Sequence, residues 1–293
     1  MKFGPLVFLA AFLGLSASWY GLVLTPQVQL GRATQETNSV VKTELYPVGR
    51  PGLAREGLEV YRANGCAYCH SQQVEQKGTL IDVVLTEVGT NSMNVANALN
   101  EAHVGDGKFN GPSIGAGLPK PVLKGATIEN ASVLANVLKK AGATAELHLV
   151  PTGSDIERGW GMRRSVAQDF ISDATVMPGS LRVGPDLANV GARLPDLNWQ
   201  LVHLFNPAAV TKGSPMPPYR FLFERRKIGK QPSPDALKLM GEFAPAAGYE
   251  IVPKPEAKAL AAYLISLRSD VPLYEAPLTP PPAPAAATNA PAK

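Results

Sequence analysis

Cys66 and Cys69 are the only cysteines among the 293 residues, and His70 follows the second directly. Cys66-Ala67-Tyr68-Cys69-His70 has the spacing by which two thiols add across the vinyl groups of a haem while the next residue offers its imidazole to the iron. The same two cysteines could instead form a redox disulfide or half of a zinc site. A zinc site needs about four ligands, and the remaining histidines, His103, His148 and His203, are scattered without ligand spacing. A thioredoxin-like pair opens a helix after a strand. Here the preceding Gly52 to Asn64 reads as a helix, with Leu53, Leu58, Val60 and Tyr61 as apolar positions, stopped by Gly65. One covalently bound haem c, with His70 on the iron, is the expected chemistry.

A haem iron held by one histidine takes a second axial ligand or stays open, and methionine is the usual partner in electron transfer. Of six methionines, Met216 stands in Ser214-Pro215-Met216-Pro217-Pro218-Tyr219. Prolines on both sides stiffen that loop, so a thioether there loses little entropy on binding. Met216 is the expected ligand, with Met177, before Pro178, in reserve. Met240 reads as part of a helix from Asp235 to Phe243. Arg182 and the pair Arg163-Arg164 are candidate partners for the haem propionates.

Several elements must position these residues. Glu256 to Ser269 reads as a helix with a Leu260, Tyr263, Leu264, Leu267 stripe, and Pro255 sits at a favoured start. From Gly4 to Leu24 no residue is charged, long enough to span a bilayer as a helix, with Trp19 and Tyr20 suited to the far interface. Ser16-Ala17-Ser18 offers a small-residue cleavage site. The apolar run continues past it, which favours a retained anchor in contact with membrane lipid. Residues 25–50 read as a polar connector, and 271–293 as a Pro/Ala-rich disordered tail. Net charge is +4, without a single basic block, so nucleic acid is not an expected partner. Glycine and proline, 27 each, indicate a loop-rich chain.

Together these motifs resemble a class I cytochrome c domain, where a helix runs into the haem motif. More narrowly, they resemble the membrane-anchored mono-haem cytochrome c subunit (subunit II) of cbb3-type cytochrome c oxidases. The resemblance covers residues 1–75 and about 155–275. It rests on the anchor, on Gly65 to Gln73, on Arg182-Val183-Gly184-Pro185-Asp186-Leu187-Ala188-Asn189-Val190-Gly191, on Trp199 to Pro207 (with His203 and Asn206), and on Met216-Pro217-Pro218-Tyr219. It implies that the Pro185 carbonyl accepts a hydrogen bond from the second nitrogen of His70. It also implies a non-catalytic electron relay in the bacterial inner membrane, haem domain on the periplasmic side, between a donor cytochrome c (subunit or soluble) and a haem-copper catalytic subunit. The cytochrome subunit of a nitric oxide reductase is the alternative within electron transfer. A haem-based sensor or peroxidase-like protein is the alternative outside it, and would need an open sixth position.

Residues 78–151 depart from that pattern. Leu80 to Thr86 alternates as a strand, Ser92 to Glu101 and Ser132 to Ala141 read as helices, Ala143 to Val150 as a strand, and Pro119 to Leu123 as a short one. This βαβ-type sequence resembles the C-terminal domain of the bacterial ribosomal stalk protein, on Ile81 to Gly89, Pro119 to Val122 and Ala141 to Leu147. Gly105 to Pro112, with four breakers in eight residues, argues against a helix where that domain has one. The expected architecture is therefore mainly α: an anchor (1–26), a discontinuous cytochrome c domain (27–77 and 152–270), and a small α/β insertion (78–151).

Overall fold

The computed structural model describes residues 3–32, 36–37, 45–50, 52–104 and 108–271. The expected tail lies outside the described residues beyond Val271, as do much of the polar connector and Gly105 to Gly107. The chain groups into two compact units: Met1–Arg50 with Val166–Val176, and Pro51–Ser165 with Met177–Lys293.

In the first unit, α1 (Gly4–Trp19) passes through a π-helical turn (Tyr20–Leu24) into α2 (Thr25–Gly31). Gly4–Gln29 is long and apolar enough to cross a membrane, and none of it is buried within the protein. Two short strands, β1 (Glu36–Thr37) and β2 (Leu45–Tyr46), pair antiparallel. The Tyr46 hydroxyl donates to Asp169 Oδ1 at 2.8 Å, and Arg50 pairs with Asp173. These contacts tie 166–176 to the residues that follow the apolar helix.

In the second unit, α3 (Gly52–Ala63) crosses α10 (Pro255–Ser266). The buried face of α3 is Ala54, Gly57, Leu58 and Tyr61, an i, i+3, i+4, i+7 stripe. Leu53, expected among the apolar positions, is 45% exposed. The reason is Gly57: a Cβ there would lie 2.0 Å from the Ala259 carbonyl oxygen. The helices meet where α3 has no side chain, and Leu53 is turned outward. The Tyr61 and Tyr263 rings meet across the crossing, tilted by 56° with centroids 5.2 Å apart. Leu260, Tyr263, Leu264 and Leu267 are all buried, as the stripe predicts, each contributing about 1.5–3 kcal/mol for a full-sized apolar side chain.

The α/β region runs β3 (Gly78–Glu87), α4 (Ser92–Glu101), α5 (Gly111–Ile114), β4 (Lys120–Ala126), α6 (Ile128–Lys140), β5 (Thr144–Thr152). The sheet order is β4-β3-β5, antiparallel at both junctions, so the strands form no parallel crossover unit. Ile81, Val83 and Leu85 on one face of β3 pack against Val95, Leu99, Leu134 and Leu138 of α4 and α6. Helix α6 starts one turn earlier than the apolar pattern indicates, because Thr127 caps Asn130 N at 3.4 Å. Helix α5 occupies part of the stretch expected to be non-helical: Asn110 caps it at Ser113 N, and the Asn100 amide exchanges two 2.9 Å hydrogen bonds with the Phe109 backbone. The region enters and leaves side by side, with Gly78 opposite Thr152 and Lys77 N donating to Thr152 O at 2.8 Å.

Three further helices and two strands belong to the second unit: α7 (Ser154–Glu157), α8 (Val190–Arg193), α9 (Leu197–Phe205), and the antiparallel pair β6 (Phe223–Lys227) and β7 (Tyr249–Pro253). No α-helix forms over Asp235 to Phe243; only Gly241–Phe243 makes a 3-10 turn. The Leu237 N–H is instead taken by the Ile251 carbonyl at 2.9 Å, and Ser233 N by the Glu250 carboxylate at 2.7 Å. With strands β3 to β7 alongside the helices, the chain is mixed rather than mainly α.

Candidate haem site

Gly65, at φ +66°, ends α3 and turns the chain into a 3-10 turn over Cys66–Tyr68. The Cys66 carbonyl accepts from both Cys69 N (3.2 Å) and His70 N (3.0 Å), so the two thiols and the imidazole share one tight turn. Gly184 N donates to Cys69 O at 2.9 Å, and Leu187 N to Ser71 O at 2.8 Å. The loop from Arg182 to Leu187 is thereby laced to the motif.

His70 Nδ1 lies 2.8 Å from the Pro185 carbonyl oxygen. This geometry makes Nδ1 the donor and leaves Nε2 free as a metal ligand. Gly184 supports the ring from behind: a Cβ there would lie 2.3 Å from Cε1, 2.8 Å from Nδ1 and 3.0 Å from Nε2. No other residue type fits beneath this imidazole without moving it.

The ring faces a cleft of about 460 Å³. Cys66, Cys69, His70, Pro185 and Met216 all line it, and its wall is largely apolar through Leu187, Leu204, Leu260 and Leu264. The Met216 loop is held by Tyr219 N donating to Leu204 O at 2.9 Å. Met216 is the methionine in the cleft lining. Met177 packs at the edge of the core outside it, and Met240 is 83% exposed. Burial, more than the neighbouring Cys69, pushes the Cys66 thiol up to about 11. This is the opposite of the acidified thiolate that disulfide-exchange motifs use.

Arg182 is not brought into the cleft. Its guanidinium is spent on Asp155, on Ser71 Oγ and on the Gln73 carbonyl. Arg163 is fully buried, donating to the carbonyls of Val271 and Arg164, and Arg164 borders a different groove. None of these three candidate partners for haem carboxylates lines the cleft. Arg193 does. Its Nη2 donates to Asp186 O at 2.6 Å, while its Nε is buried without a partner. Burial, partly offset by the Asp186 charge, lowers its pKa. His203 is the second such group. Its ring stacks on Trp199 at 4.9 Å, and its Nδ1 is likewise buried and unpartnered. Burial, with His70 adding to it, lowers the His203 pKa to about 4. Asp196 caps α9 at Trp199 N (2.8 Å) and so sets the helix that carries both rings. The signal for Arg193 was a lone basic residue closing the short helix after Gly184-Pro185-Asp186-Leu187.

These residues fit a haem c. Two free thiols sit at one cleft. A histidine is oriented with Nε2 available, a thioether lies in the same lining, and two buried polar nitrogens await partners that an apolar cleft alone would not supply.

Residues 149–250 match the family model described as cytochrome C oxidase, mono-heme subunit/FixO. The match takes in the Gly184-Pro185 loop, α9 and Met216 and does not reach Cys66, Cys69 and His70. A further similarity, 36% identity over 73 residues, is to Large ribosomal subunit protein bL12 of Corynebacterium aurimucosum. It covers 25% of this chain and 57% of that protein, so the chain spans little more than half the length of that curated relative.

Proposed function

We propose that this chain is the anchored electron-transfer subunit of a cbb3-type terminal oxidase, carrying one haem c attached at Cys66 and Cys69 and ligated by His70 and Met216. The observation that supports it most is the single cleft lined by both cysteines, His70 and Met216, with His70 Nδ1 committed to Pro185 O at 2.8 Å. When bound, the haem supplies one-electron chemistry. The chain's own residues do the rest. Pro185 fixes the imidazole tautomer and raises its basicity, Met216 would hold the iron together with His70 and raise its potential, and the apolar wall would keep water from it. Arg193 and His203 are placed to receive the carboxylates of the ring.

The helix Gly4–Gln29 anchors the domain to the membrane, on the periplasmic side in this reading. A donor cytochrome c would deliver electrons and a haem-copper subunit would take them on to oxygen. The α/β region between Gly78 and Thr152 is an insertion whose fold, not any ribosomal role, is carried over.

Detergent purification from membranes, haem staining of the denatured gel and identification of the co-purifying chains test this reading. One stained band at about the 31.0 kDa of this chain, with a copper-containing partner, is the expected result. A non-haem-iron partner would assign the chain to a nitric oxide reductase instead. Met216→Ala should lose the low-spin methionine-ligated spectrum. Rapid carbon monoxide binding by the native ferrous protein would refute the closed sixth position.

A further inference from the structure

Arg182 sits between two buried carboxylates. Asp155, 1% exposed, receives Nη1 at 3.2 Å and Nη2 at 2.8 Å, a two-pronged pair. Asp186, fully buried, lies 3.7 Å from Nη2. Asp186 in turn accepts from Ser71 Oγ at 2.5 Å and from the backbone N–H of Gln73 at 2.9 Å. Arg182 Nε also donates to Ser71 Oγ, at 2.8 Å. Ser71 is the residue after the haem histidine, and Asp186 is the residue after Pro185. The clamp therefore grips both ends of the 2.8 Å contact between His70 and Pro185 without touching either side chain.

We propose that Arg182 is a positioning residue for His70: it holds the Pro185 carbonyl in line with Nδ1, and Asp155, just beyond β5, is the post it is fastened to. The inference rests on the haem reading above. It departs from the simpler role of a positive charge near the haem, and the two roles predict opposite signs. A cation removed from the neighbourhood of the iron makes reduction harder. A loosened clamp weakens the Nδ1–H···O=C bond, lowers the basicity of the ligand, withdraws support from the ferric state and makes reduction easier.

The test is the reduction potential of the full, haem-loaded protein for Arg182→Gln, Arg182→Lys and Ser71→Ala, each checked for the histidine–methionine spectrum. Arg182→Gln should raise the equilibrium constant for reduction by about threefold to tenfold, tenfold being about 59 mV for one electron. Arg182→Lys keeps the charge and loses the fork, and should rise by less. Ser71→Ala changes no charge and should also rise. A potential for Arg182→Gln that falls or does not move, with the spectrum intact, overturns the proposal. Should Arg182→Gln fail to fold or to retain haem, an unchanged potential in Ser71→Ala overturns it on its own. Parent protein that purifies without haem would instead refute the haem reading and leave its own distinct signature, an unstained band.

Discussion

Replacing Gly184 by alanine puts a methyl group where the His70 ring already is. The new Cβ would lie 2.3 Å from Cε1, against an ordinary carbon contact of about 3.5 Å, so ring or loop must yield by about 1.2 Å. The Pro185 carbonyl is one residue along the same loop, and its 2.8 Å contact with Nδ1 cannot survive a displacement of that size within the normal limit of about 3.2 Å. The hydrogen bond is worth about 1 kcal/mol net, and overpacking of a filled site costs about 1–3 kcal/mol more. Gly184→Ala should therefore lose about 2–4 kcal/mol of stability, measured by denaturant unfolding of the haem-loaded protein. Where haem is retained, its reduction potential should rise as the ligand loses basicity. Gly229→Ala is the matched control, because nothing lies within 4 Å of a Cβ at that position. A Gly184→Ala protein within about 0.5 kcal/mol of the parent, with the same potential and spectrum, would refute the reasoning that this glycine exists to seat the imidazole.

Three further outcomes are expected. Gly57→Ala drives a methyl group to 2.0 Å from the Ala259 backbone oxygen; backbone cannot swing aside, so thermal unfolding should show a loss of about 3 kcal/mol or more, where a merely permissive glycine would show almost none. Asp196→Ala removes the cap at Trp199 N and should cost about 1 kcal/mol; an unchanged denaturation midpoint would mean that α9 is set by packing alone. The Ser233 N–H, then Arg226, hold the Glu250 carboxyl below the ordinary carboxylate range. Its contribution is therefore present above the unfolded value of about 4.3 and is lost as pH falls toward the folded one. Glu250→Gln should flatten the acid side of the stability–pH curve relative to the parent, and a parallel curve would refute this assignment.

What could be read from the sequence was what neighbouring residues decide among themselves. The turn at Gly65, the stripe of α10 and the outlines of β3, α4 and β5 all follow from spacing and breakers within one segment, and the structure keeps them. What could not be read depends on partners far along the chain. The face of α3 is chosen by a carbonyl on α10, some two hundred residues on, and so Leu53 points to solvent. Residues 235–243 have helical composition, but the Ile251 strand claims the Leu237 N–H first. Arg182 looked like a cation for a carboxylate ligand, and it is one for Asp155, whose burial beside the motif nothing local announces. Arg193 escaped notice for the converse reason: its orphaned Nε is visible only once the cleft is closed around it. Met216, singled out by its proline frame, does line the cleft, because that frame is a local constraint.

The side-by-side ends of the α/β region have a consequence for a chain without it. Lys77 and Thr152 are hydrogen-bonded neighbours, so the segment between them leaves and rejoins the rest of the unit at one place. A segment that leaves and returns at adjacent residues adds almost no ring-closure entropy to the rest of the fold, and without it a short turn would bridge Lys77 and Thr152. A shortened chain joining Lys77 to Thr152 by such a turn should therefore keep the packing of α3 on α10.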